Sequence, residues 1–400
     1  MLLGVGADGP VRGRRVAITG LGVVACCGIG LDAFWEGLLG PAPEGLRRVP
    51  DFDPTTWFGP KEVRRVDRFA QFSVASAAMA VEDAGEIEVD PDAAGVVFAT
   101  GVGGLETLEA QVGVARDKGA ERISPFLIPM MMPNAGAAGI SMRLGWRGPC
   151  ETVTTACAAG THAIANAARL VAAGRCDVAI GGGSEAALTE VGVGAFTNMT
   201  ALSREGVSRP FDLRRDGFVA AEGSGALVLE ELEHARRRGA RVYGEVLGAA
   251  STADAHHITA PAPGGAGAAT CMELALADAG VSPGAVGHIN AHGTSTPLND
   301  LAEAQAIGKV FGTPGPPVTS VKGITGHALG GAGAIEAVAT VLSVARALIP
   351  PTAGYEVPDP EIGLDVVHGA PRPWTPGPVL SNSFGFGGHN GCLVIAPVDR

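Results

Sequence analysis

Four side chains stand in settings suited to group-transfer chemistry: Cys157, His292, Lys322 and His327. Cys157 lies in VTTACAAGTHAIANAARLV, after the strand-like CETVTT and at the opening of a helix-like run of small residues. A sulfur at a helix start meets unpaired backbone amides and the positive end of the helix dipole, which favour thiolate over thiol. Small neighbours leave room for a substrate, although the same stretch also suits a buried, inert thiol. A cysteine nucleophile needs proton-transferring or cationic partners. Two loops offer them, each after an apolar strand: NAHGTSTPLND, with His292 beside Thr294, Ser295 and Thr296, and SVKGITGHALGGAGAIE, with Lys322 and His327.

Two further stretches bear on such a site. The glycines of SNSFGFGGHN free backbone amides to point into a cavity that Phe384 and Phe386 could wall, or else form a bend with aromatic core plugs. In KEVRRVDR, Lys61, Arg64, Arg65 and Arg68 fall at three-to-four spacing, so they are expected to share a helix face, either solvated or open to an acidic partner.

The elements that must position these groups alternate along the chain. RRVAITGLGVV reads as a buried strand entering a glycine turn, RFAQFSVASAAMAVEDAG as a helix closed by Gly85, and AGVVFATGVGG and DVAIGGGSEAAL as further strands. GSGALVLEELEHARRRGAR passes from strand to a short helix that stops near Gly239, the expected boundary between residues 1–239 and 240–400. Beyond it, VYGEVLGAAS, VGHINAHG and PVTSVKG read as strands separated by helices through TCMELALADAG and PLNDLAEAQAIGKVFG. A long small-residue helix, GGAGAIEAVATVLSVARALIPP, and a closing hairpin in VLSNSFGFGGHNGCLVIAP follow. This alternation predicts buried sheets covered by helices, in two similar α/β halves without a visible residue-level repeat.

Composition narrows the chemistry. With 46% hydrophobic and 18% charged residues and a mean hydropathy of +0.25, the 400-residue chain is expected to fold around a large core. Its 60 glycines point to close backbone packing. A net charge of −12 argues against nucleic acid as partner. No apolar run looks long enough to cross a bilayer, and MLLGVGADGPVRGRR lacks the apolar segment of a secretory signal, so a cytoplasmic location without membrane contact is expected. Seven cysteines without a tight framework read as free thiols rather than disulfides or a zinc cage.

TTACAAGTHAI, INAHGTSTPLND, SVKGITGHALGGAGAIEA and LSNSFGFGGHNG together resemble the signature segments of β-ketoacyl-acyl carrier protein synthases, elongating condensing enzymes, most closely the synthase II type. The resemblance extends from about Arg14 to Ala396 and includes GVGGLETLEAQ, SPFLIPMMMPN, SRPFDLRRDGFVAAEGSGALVLEELEHA and DAHHITAP. It implies the thiolase fold: an α/β architecture of five layers, αβαβα, from two duplicated halves with mixed sheets, paired into a dimer. It implies Cys157 as nucleophile, with His292 and His327 beside it, and Lys322 and Glu336 as the ion pair ordering the site. The resemblance places the backbone amides of Cys157 and Phe386 around an oxyanion, and Phe386 also as a gate. Thr259, Thr294 and Thr296 would hold a pantetheine arm, and Leu108 and Phe196 would line an acyl pocket. Lys61, Arg64 and Arg65 would dock an acidic acyl carrier protein. No bound cofactor is implied, since phosphopantetheine arrives on the carrier. The implied reaction joins an acyl group on Cys157 to malonyl-acyl carrier protein, in fatty acid synthesis or, in the other branch, as the catalytic ketosynthase of a type II polyketide system paired with a chain-length factor.

Some residues depart from that pattern. Gly323 and Gly331 stand where serine and alanine are usual and are expected to loosen the His327 loop. Cys26 stands where proline is common, and ALSREGVSRPFD and EGLRRVPDFDP are short. Other readings fare worse. GLGVVA, from Gly20 to Ala25, follows a strand as a dinucleotide fingerprint would, but no acidic residue ends a second strand where that motif needs one. His256, His257 and Cys271 lack zinc-ligand spacing. A papain-like hydrolase has no use for the second histidine and lysine, the His327 loop carries the synthase rather than the thiolase pattern, and Cys157 argues against a non-catalytic chain-length factor.

Overall fold

The structure, a computed structural model, describes residues 13–398 and, before them, the paired backbone of Val5–Gly6 and Gly9–Pro10. The rest of the N-terminal stretch lies outside the described residues.

Long runs of small and β-branched residues form strands buried on both faces. In the first half these are β1 (Val16–Ala25), β2 (Ala94–Ala99), β4 (Val178–Glu185) and β5 (Gly223–Glu231), with the short, exposed β3 (Cys150–Glu151) added at the sheet's edge. β1, β2 and β4 are buried at every position, so they lack the alternation of a half-exposed strand. Their sheet runs β3-β2-β4-β5-β1, parallel from β3 to β4 and antiparallel through β5 to β1. The second half has β6 (Gly244–Ala253), β7 (His288–Asn290), β8 (Val318–Thr319), β9 (Val379–Gly385) and β10 (His389–Ala396). Its order, β8-β7-β9-β10-β6, repeats the first half in sequence rank and strand direction. The duplication is therefore plain in topology. A short pairing of Ala17 with Glu245 and Ile18 with Gly244 joins the two sheets edge to edge.

Eight helices frame the site: α1 (Arg68–Ala84), α2 (Leu105–Lys118), α3 (Ala135–Leu144), α4 (Ala159–Ala172), α5 (Glu190–Asn198), α6 (Ala266–Ala279), α7 (Pro297–Phe311) and α8 (Leu329–Arg346). Asp67 caps α1 by accepting from the Phe69 amide, and Gly85 closes it where the sequence predicts. α1 and α3 cover the outer face of the first sheet, and α6, backed by α7, covers the second. Between the sheets lie α4 and α8, giving five layers. A Cβ on Gly160 of α4 would lie 2.7 Å from the Ala334 amide nitrogen of α8, so only small residues permit this approach.

α8 is long and apolar enough by itself to cross a membrane, contrary to the expectation that no run would be. It is buried from Leu329 to Val344 in the middle layer, which accounts for its composition. A second difference concerns β1. The expected glycine turn is absent, and the strand runs through Gly20 and Gly22 to Ala25. A Cβ on Gly22 would lie 1.9 Å from the Ser76 carbonyl oxygen, so these glycines admit the backbone of α1 rather than a phosphate.

Candidate active site

The middle layer brings the two halves' chemistry together. The chain leaves β3, makes a 3-10 turn at Ala156–Ala158 and enters α4, which puts Cys157 at the helix start as the sequence predicts. His292 follows β7, and its amide and that of Gly293 each donate to the Glu303 carboxyl on α7, at 2.8 Å. His327 precedes α8. Its amide donates to Val219 O at 2.8 Å, and its carbonyl accepts from Ala221 N at 3.1 Å. Glu185, at the end of β4, accepts from Gly101 N at 2.8 Å and Gly330 N at 3.1 Å, tying the start of α8 to the first half.

Cys157 Sγ and one ring nitrogen from each of His292 and His327 lie within 4.8 Å of one another. The two imidazoles meet edge to face, with centroids 5.3 Å apart, and Phe218 meets His327 in the same way at 5.3 Å. Lys322 Nζ donates to His292 O at 2.6 Å, lies 3.2 Å from His292 Nδ1 and pairs with Glu336. An ammonium only donates, so Nδ1 accepts and the proton of a neutral His292 ring sits on Nε2. The Lys322–Glu336 pair is buried, and removing one partner would strand a charge.

Burial sets the protonation states. It holds both histidines well below their ordinary pKa, reinforced by the Lys322 charge, so both rings are neutral near pH 7. It pushes the Cys157 thiol up to about 11, against the pull of Lys322 and the Phe386 amide. Burial thus outweighs the helix start's pull toward the thiolate, because Cys157 is only 6% exposed and water is kept from the anion. Burial also raises Glu336 to about 7, with Lys322 drawing it down.

A cavity of about 400 Å³ opens from this cluster. Cys157, His292, His327, Thr259, Thr294, Thr296, Phe196, Phe384 and Phe386 line it, so most of the residues singled out in the sequence converge here. Gly385 stacks on the nucleophile's turn, where a Cβ would lie 3.0 Å from Cys157 N.

Residues 42–235 match the family described as Beta-ketoacyl synthase, N-terminal domain, and residues 243–356 the corresponding C-terminal domain. The chain belongs to the β-ketoacyl synthase family. It is 46% identical to the 3-oxoacyl-[acyl-carrier-protein] synthase 2 of Synechocystis, over 96% of this chain and 98% of that one. Identity to the synthase 2 of Coxiella burnetii is 42%, over 96% and 99%. Among solved structures, the ishigamide ketosynthase/chain length factor superposes with a TM-score of 0.92 at 34% identity, covering 97% of this chain and 100% of that one. A type II polyketide synthase acyl-carrier protein in complex with its ketosynthase bound to the hexaketide follows at 0.89 and 33%, with the same coverage. The synthase thus has the thiolase fold and is a condensing acyltransferase.

Several expected placements differ. Leu108, on α2, does not line the cavity; Leu105, one turn earlier, packs on the apolar cluster containing Cys157, Phe218 and Leu329. Lys61, Arg64 and Arg65 are exposed, but they do not share a helix face with Arg68. A 3-10 turn at Val63–Arg65 ends before α1, and Arg68 turns inward to pair with Glu222 at 2.7 Å. Gly323 and Gly331 do not loosen the His327 loop. A Cβ would lie 2.3 Å from Ala353 O at Gly323 and 3.0 Å from Gly223 O at Gly331, so both sites are filled by backbone. Cys26 sits in the turn after β1 with its sulfur 3.6 Å from Ile324 O, beside the short helix Lys322–Thr325.

Sequence reasoning missed Glu303, Phe218 and Leu329. Glu303 sits in an ordinary-looking helix repeat and the other two read as core, so no local pattern marks them.

Proposed function

We propose that the synthase lengthens acyl chains in fatty acid synthesis by decarboxylative Claisen condensation, with Cys157 as the acylated nucleophile. Cys157 sulfur attacks the thioester carbonyl of an acyl-acyl carrier protein, and its proton passes through a neutral imidazole to the departing pantetheine thiol. The backbone amides of Cys157 and Phe386 hold the oxyanion. Malonyl-acyl carrier protein then loses carbon dioxide, and the bond's electrons move to the thioester oxygen as an enolate. His292 Nε2–H and His327 donate to that oxygen. The enolate carbon attacks the acyl carbonyl, the bond to Cys157 breaks, and a 3-oxoacyl-acyl carrier protein two carbons longer leaves. The convergence of Cys157, His292 and His327 within 4.8 Å at a cavity wall carries this reading.

Lys322 and Glu336 fix the His292 tautomer. Thr259, Thr294 and Thr296 offer hydroxyls to the pantetheine arm, Phe196 and Phe384 wall the cavity, and Phe386 gates it. Lys61, Arg64 and Arg65 dock the acidic carrier. The working form is a cytoplasmic homodimer, divided within each chain at residues 239 and 240, and phosphopantetheine is part of the substrate.

Incubation with acyl-acyl carrier protein, followed by peptide mass mapping, tests the assignment. One acyl group on Cys157 is expected; none, or one elsewhere, overturns it. The superposition on polyketide ketosynthases supports a second reading, as the catalytic subunit of such a system. It predicts extension only when a homologous subunit is added, whereas the first predicts extension by this chain alone.

A further inference from the structure

The first turn of α4 is fastened to the β9–β10 hairpin by side chains that the proposed chemistry does not use. Thr161 Oγ1 and Ser383 Oγ are 2.7 Å apart. One residue on, buried His162 has Nδ1 2.7 Å from Thr155 Oγ1 and Nε2 3.0 Å from Asn390 O. A carbonyl only accepts, so Nε2 carries the proton and Nδ1 accepts the Thr155 hydroxyl hydrogen. Burial holds this ring below its ordinary pKa, which keeps it neutral and preserves both bonds. The Asn390 side chain donates to Asp254 Oδ1 at 2.8 Å, at the base of the loop that leads to Thr259.

Thr155 stands two residues before Cys157. Between them Ala156 has φ 49°, a left-handed conformation that is strained for a residue with a Cβ. Such a turn persists only when its surroundings hold it. Thr155 is where they do: its hydroxyl is bound by His162, its carbonyl accepts from Ala158 N at 3.2 Å, and Gly385 packs against that carbonyl.

We propose that His162 and Thr155 are positioning residues that hold the Ala156 turn, aiming Cys157 Sγ and its amide at the cavity beside the Phe386 amide. The ring also links that turn to the hairpin bearing Phe386, so the nucleophile and the gate keep one geometry. This rests on the reading of Cys157 as the acylated residue. Neither side chain lines the cavity, so their removal acts on the chemical step rather than on carrier binding.

The test uses the full chain with Thr155→Val, Thr155→Ser and His162→Phe, comparing single-turnover acylation of Cys157, kcat, KM for the acyl carrier and melting temperature. Thr155→Val and His162→Phe are expected to slow acylation and kcat by about tenfold or more, with KM within roughly threefold, and Thr155→Ser to restore most of the rate. Folded Thr155→Val with an unchanged acylation rate overturns the proposal, as does a loss shared equally by Thr155→Ser. Should His162→Phe fail to fold, the two Thr155 variants decide, because they leave the ring in place. If the unaltered protein takes no acyl group, the functional reading fails instead. Iodoacetamide alkylation of Cys157 across the same variants then still tests the positioning, with slower alkylation expected in Thr155→Val and equal rates overturning it.

Discussion

At Cys157 two effects of opposite sign compete. The helix start and Lys322 favour the thiolate, while removal from water disfavours it, and burial wins by pushing the thiol up to about 11. An acid whose pKa lies that high is almost wholly protonated at pH 7, and its thiolate fraction grows with each unit of pH. Alkylation of Cys157 by iodoacetamide is therefore expected to rise about tenfold per pH unit between roughly pH 7 and 10. Mass mapping of the Cys157 peptide resolves it from the other cysteines, and a plateau near neutral pH would show that the helix start prevails. Neutral histidines beside a protonated thiol suit a mechanism in which proton transfer accompanies attack, so the nucleophile is activated by the arriving substrate.

The short helix Lys322–Thr325 connects Lys322 to the His327 loop, and its packing decides how rigid both are. Buried Arg47 donates from Nε to Ile324 O at 3.1 Å, Cys26 sulfur lies beside the same carbonyl, and Ala353 backbone fills the space next to Gly323. Gly323→Ser would thrust its Cβ into Ala353 O. It is expected to destabilise the protein by about 1–3 kcal/mol and to lower kcat more than it changes KM. Urea denaturation with steady-state kinetics checks this; an unchanged midpoint would mean that the loop has the slack its sequence suggests. Elsewhere the elements follow their patterns closely. α1 ends at the glycine its sequence announces, and the C-terminal hairpin forms as β9 and β10.

Across the whole molecule, a net charge of −12 repels an acidic partner except where basic side chains gather. Lys61, Arg64 and Arg65 are such a place, exposed on a turn, with the Arg65 guanidinium 4.5 Å from the Phe126 ring centre. Reversing both charges, Arg64→Glu with Arg65→Glu, is expected to raise KM for carrier-bound substrate about tenfold or more. Turnover of a small thioester should hardly change, and added salt should narrow the difference. Equal loss with both substrates would indicate misfolding rather than docking. Arg68, though adjacent in sequence, belongs to the interior through Glu222 and is not part of this surface.

By itself the sequence determined the motifs, their order and the alternation of strands and helices, because turn chemistry, caps and hydrophobic runs are local properties. It also identified Cys157, His292, Lys322 and His327, whose residue types and loop settings are local too. Tertiary structure alone decided the protonation of Cys157, the inward turn of Arg68, the exclusion of Leu108 from the cavity and the entry of Glu303. It alone decided that Gly22 and Gly323 serve close packing rather than turning or slack. Each of these depends on burial or on backbone approaching from a distant segment, and neither quantity is written in the neighbouring residues.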